Sequence, residues 1–167
     1  MYPIVVRVAV LASLAVAAAT PASAQSSAHT KLEGVINDFS DLASPSGPWQ
    51  MLVEWSAVLK GSSGKADFVA SVAMIRTPSG GSPHTHHVAL LDGAVTPLAG
   101  GGYVISGPAA ITSNGAPAGF TGSQITVEIS GDPATVPAAN VKLTFFGGAA
   151  GHFGAAALDG VVTVGLP

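Results

Sequence analysis

Three of the five histidines in this 167-residue chain fall within four positions, in Pro83-His84-Thr85-His86-His87. On an extended backbone successive side chains alternate, so His84 and His86 project from one face, close enough to share an ion, and His87 points the other way. Two donors on one strand need a third from elsewhere. His152, in Gly151-His152-Phe153-Gly154, is the candidate, because the neighbouring glycines leave the backbone free to place its ring. Imidazole suits Zn, Cu, Fe or Ni, and three imidazoles with one open position make a zinc-type catalytic site. The expected cofactor is therefore zinc or copper on His84, His86 and His152. Asp92, on the same face of the strand, and Asp159 are candidate carboxylate ligands. Metal-free acid–base use of His86 or His152 is a competing reading, although no partner carboxylate is set by the spacing. A third reading makes them hydrogen-bonded or surface histidines.

A second candidate site is apolar. Trp49, Met51, Val53 and Trp55 share one strand face, and if that face lines a barrel, Trp49 and Trp55, with Tyr103 as a polar handle, would hold a small apolar ligand. Ordinary core packing is the alternative for these tryptophans. Other chemistries find no footing. Gly61-Ser62-Ser63-Gly64 has the wrong spacing for a nucleophile elbow, and Gly100-Gly101-Gly102 precedes a strand rather than a phosphate-binding helix. The acids fall in turns or on polar strand faces, where solvation is the default.

The run Pro83-His84-Thr85-His86 followed by Leu90-Leu91-Asp92-Gly93-Ala94-Val95 resembles the first motif of the cupins. That resemblance implies a small jelly-roll barrel, a metal held by the two histidines, a glutamate and a later histidine, and metal-dependent enzyme activity. The chain departs from the pattern at Leu90 and Leu91, where the glutamate would stand, and around His152, which lacks the proline and asparagine of the second cupin motif.

The elements that must position these residues are strands. From Trp49 to Lys60 apolar and polar residues alternate, Ala66 to Arg76 returns after a Gly/Ser turn, and Gln124 to Ser130 alternates with Ile125, Val127 and Ile129 on one face. Further strands are expected at Leu32–Asn37, His84–Leu91, Tyr103–Thr112, Val141–Phe145 and Gly160–Leu166, with one helical turn between Gly147 and Ala157. Asp92-Gly93 reads as a turn or bulge. No segment keeps a helical period for the 10 to 12 residues a helix needs. Leu32-Glu33-Gly34, Leu91-Asp92-Gly93 and Leu158-Asp159-Gly160 echo one another, and a mid-strand glycine often marks a barrel corner. The expected fold is all-β, a single antiparallel barrel of about eight short strands in which the first and last strands pair. A β-sandwich and a cupin-like jelly roll are the alternatives.

The N-terminus carries Arg7, an uncharged apolar run from Val8 to Ala19, and then Ala22-Ser23-Ala24, the pattern of a cleavable export signal over residues 1–24. Cleavage would leave 143 residues, with residues 25–30 a flexible leader and 31–167 one β domain. The chain has no cysteine, which rules out disulfides and thiol chemistry. Its five remaining Lys and Arg are scattered, so neither nucleic acid nor, after signal cleavage, a membrane is an expected partner. The expectation is thus a secreted or periplasmic barrel that binds a metal ion or small apolar ligand. Its rivals are a metal-dependent enzyme using the same histidines and a structural or interaction protein with no small-molecule site.

Overall fold

The computed structural model describes residues 29–42, 48–76, 82–131 and 139–166. The export segment 1–24 lies outside these residues, as does the leader up to Ala28. Among the described residues ten strands form one antiparallel sheet: β1 (His29–Phe39), β2 (Trp49–Lys60), β3 (Lys65–Arg76), β4 (His84–Pro97), β5 (Gly102–Pro108), β6 (Ala110–Ser113), β7 (Ala116–Pro117), β8 (Gln124–Ser130), β9 (Asn140–Phe145) and β10 (Leu158–Leu166). A four-residue helix, α1 (Ala150–Phe153), lies between β9 and β10.

Eight strands, β1 to β5 and β8 to β10, pair in chain order, and β10 returns to pair with β1. The barrel is therefore closed. Its connections are those of a simple meander, which separates it from both the sandwich and the two-sheet jelly roll implied by the cupin resemblance. β2 runs from Trp49 to Lys60 as expected and β3 starts one residue early, whereas β1 and β4 are longer than expected, at 11 and 14 residues. Two residues assigned to the leader, His29 and Thr30, already pair with Lys60 and Leu59.

The stretch Tyr103–Thr112, expected as one strand, divides at Ala109. The Ala109 N–H donates to the Ser123 carbonyl and its own carbonyl accepts from Gly122, so β5 stays against β8 while β6 turns away to pair with β7. β4 runs beside both, meeting β6 through His86–Ala89 and β5 through Ala94–Pro97. Between those halves Asp92-Gly93 forms a bulge inside the strand rather than its end. Asp92 adopts φ 54, a conformation Asp tolerates, and its N–H donates to Asp67 at 2.9 Å.

An eight-stranded barrel has an interior just wide enough for side chains. Met51, Val53, Trp55, Phe68, Val72, Ile125, Val127, Ile129, Val141, Leu143 and Phe145 fill it, all buried. Where the ring closes, β1 and β10 approach too closely for side chains. A Cβ on Gly34 would strike the Val161 carbonyl and the Trp55 ring, and one on Gly160 would strike the Val35 carbonyl. Two of the three echoed glycines thus serve the seam between first and last strands.

Candidate metal centre

β3 delivers the chain to one end of the barrel, and β4 starts there with His84. Along β4 the inward residues are His84, His86, Val88 and Leu90, so the pleat that builds the core also turns two imidazoles into the barrel mouth. His87 projects outward and is exposed, as the alternation requires. The third histidine arrives on α1. Phe153 is fully buried and stacks on Phe145 of β9 at 4.2 Å, and this anchor sets the preceding residue, His152, over the mouth.

The three rings converge through Nε2. His152 Nε2 lies 2.8 Å from His86 Nε2 and 3.3 Å from His84 Nε2, and one ligand nitrogen from each residue lies within 4.8 Å of the other two. The opposite nitrogens of the β4 pair face backbone carbonyls: His84 Nδ1–H donates to Ser82 at 3.0 Å and His86 Nδ1–H to Thr112 at 3.2 Å. That bonding leaves a lone pair on each Nε2 and fixes ring orientation, as it does for metal-ligating imidazoles generally. Nitrogens bound at 2.0–2.1 Å in a tetrahedral site sit about 3.3 Å apart. The His84–His152 spacing meets that value, and the shorter His86–His152 spacing is that of a hydrogen-bonded pair in the absence of an ion.

Aromatic walls surround the cluster. Trp49 meets His84 edge-on at 5.5 Å, Phe120 stacks on His152 at 4.8 Å, and Phe153 meets His86 at 5.0 Å. His86 itself is 2% exposed. Burial, followed by the neighbouring His152 and His84, pushes its pKa down to about 4, and burial with His84 lowers that of His152 as well. Both rings are therefore neutral near pH 7, the state a metal ligand needs.

The segment that follows α1 is held by Asp41. Its carboxylate accepts the Ala155 N–H at 2.8 Å and the Ala156 N–H at 3.1 Å, and Gly154 passes so close that a Cβ there would strike Asp41 Oδ1. Next to Asp41, the buried Ser40 donates its N–H to the Trp49 carbonyl and accepts the Trp49 N–H on Oγ. One dipeptide thus ties together the wall beside His84 and the loop behind His152.

His84, His86 and His152 come together as expected, but neither candidate carboxylate joins them. Asp92 stands six residues beyond His86, about 20 Å along the strand, at the opposite end of the barrel, where Lys60 bridges it and Asp67 at 2.6 and 2.7 Å. Asp159 is exposed and faces Lys142 at 3.6 Å. The aromatic trio is likewise dispersed. Trp49 belongs to the histidine site, Trp55 is in the core against Phe68, and Tyr103 lines a recess of about 110 Å³ with Thr30 and Lys65 at the far end. Sequence reasoning missed Phe120 and Asp41. The signal for Phe120 was present, since Gly119-Phe120-Thr121-Gly122 has the same glycine-spaced aromatic that drew notice to His152.

No family model matches the chain, and no curated protein or solved structure matches it. What can be said of the molecule's class comes from its own geometry: a closed antiparallel β-barrel with three histidines at one mouth, grouped closely enough to hold a metal ion.

Proposed function

We propose that this protein is an exported barrel module that binds a late first-row transition ion, zinc or copper, through the Nε2 atoms of His84, His86 and His152. The observation that carries the reading is the convergence of three imidazole nitrogens, two of them with Nδ1 committed to the Ser82 and Thr112 carbonyls. Surface histidines have no reason to be locked in that tautomer and turned toward one another. Export rests on the pattern of residues 1–24 alone.

A metal-dependent enzyme is the second reading. It is favoured by the donor count, since three ligands leave a fourth position for water or substrate. The half-buried state of His84 and His152 leaves the site accessible from outside.

The test is metal analysis of chain beginning at Gln25, purified without a histidine tag and incubated with zinc or copper. One ion per chain, lost in the His84→Ala/His152→Ala double variant, is expected. Substoichiometric metal in a folded wild-type protein would overturn the proposal.

A further inference from the structure

We infer that the ion is copper(I), with the thioether of Met74 as a fourth donor. This rests on the metal reading above and makes it specific, from two independent observations: the charge of the donor set and the row of residues beside His84.

The donors are uncharged, and among the described residues no acid is a ligand of the cluster. The chain has nine acidic residues. Asp67 and Asp92 pair with Lys60 at the far end, Glu33 with Lys31, and Asp159 with Lys142. Asp38 accepts the Phe39 and Asp159 N–H groups, Asp41 accepts those of Ala155 and Ala156, and Glu54 is exposed on the outer face of β2. Glu128 stands on the polar face of β8, opposite Lys142. Asp132 lies outside the described residues. Segments 43–47 and 77–81, also outside them, contain no acid and no histidine. Burying uncompensated charge is costly, and the cost rises steeply with its magnitude. Neutral donors place a smaller penalty on a monovalent ion than on a divalent one, and the choice between copper(I) and zinc, which three imidazoles also suit, then turns on the fourth donor.

The second observation is a row of sulfur. Beyond Met1 the chain has two methionines, Met51 and Met74, and both stand in one cross-strand row with His84. Met51 pairs with Met74, and Met74 pairs with His84. The two are 0% and 1% exposed. Residues directly opposite on antiparallel strands have Cβ atoms about 4.5–5.5 Å apart, and an unbranched side chain with three rotatable bonds can turn its sulfur toward a neighbour. Thioether with imidazole is a soft, uncharged donor set of the kind that suits copper(I).

The experiment compares copper(I) and zinc on the same folded, tag-free chain, using a competing chelator for each ion, and adds X-ray absorption on the copper(I) form. Expected are one copper(I) per chain, held at least about 100-fold more tightly than zinc, and a sulfur scatterer in the copper shell. Met74→Leu, which keeps the core volume, should weaken copper(I) about ten-fold or more, leave zinc within about two-fold and abolish the sulfur signal. Met51→Leu, one strand further away, should change neither and controls for packing. Zinc binding as tight as copper(I) would overturn the choice of ion. A copper shell without sulfur, or Met74→Leu weakening both ions equally, would overturn the role of Met74. Failure to bind either ion would instead defeat the metal reading itself.

Discussion

Acid should destabilise the metal-free barrel through His86, in a pH window set by its burial. Its folded-state pKa is near 4, against an ordinary value of 6.5. Between those values the unfolded chain binds a proton that the folded chain refuses, so stability falls as the pH falls from 6.5 toward 4 and is flat above and below. At 1.36 kcal/mol per pKa unit the full difference is about 3 kcal/mol, of which about 2 kcal/mol is lost between pH 7 and 5. His84 and His152 face His86 directly and His87 adds a weaker repulsion. His152, itself lowered, acts in the same direction. Asp67, held below the usual carboxylate range by Lys60 and by the Asp92 N–H, adds its own loss only below its unfolded value of 3.8. The two windows therefore separate. Urea unfolding of metal-free protein at several pH values from 7 to 4 measures the effect, and His86→Phe, whose ring would sit among Phe120 and Phe153, should flatten it. A variant that still loses about 2 kcal/mol between pH 7 and 5 would refute the assignment to His86.

Other residues make independent claims. Asp41→Asn should weaken metal binding about ten-fold, because it loosens the loop behind His152 as the loss of an outer-shell partner does, with zinc and copper affinities as the readout. Gly34→Ala forces a methyl into the Val161 carbonyl and the Trp55 ring and should cost about 3 kcal/mol in denaturant unfolding. Trp55→Phe should cost less than about 1.5 kcal/mol, because the buried Trp55 Nε1 has no hydrogen-bond partner to lose. A larger loss in the same assay would show that the indole packs more than its polar atom suggests.

Much of the barrel was legible in the chain because a strand's inward face is written in every second residue. Ile125, Val127 and Ile129, and Val141, Leu143 and Phe145, were expected inside and are all 0 to 1% exposed. The same period-two logic placed His84 and His86 together and sent His87 outward. It failed where local signals compete with long-range pairing. Asp92-Gly93 read as a turn or a bulge with the strand ending at Leu91, and it is the bulge: pairing with β3 and β5 carries β4 on past it. Tyr103 to Thr112 looked continuous, yet Ala109 is claimed by Gly122 and Ser123, fourteen residues at most along the chain.

Sequence alone determined the composition of the site, three imidazoles and no thiol, and the strand that carries two of them, since pleat and residue type are local properties. Only the tertiary structure brought His152, the third candidate, up to the β4 pair, excluded Asp92 and made Met74 the neighbour of His84. Those facts depend on closure of the ring. Pairing β10 with β1 and β3 with β4 fixes which ends meet, and the stacking of Phe153 on Phe145 fixes where α1 lies. No periodicity within a segment encodes such relations, because their energy comes from surfaces buried between residues far apart in the chain.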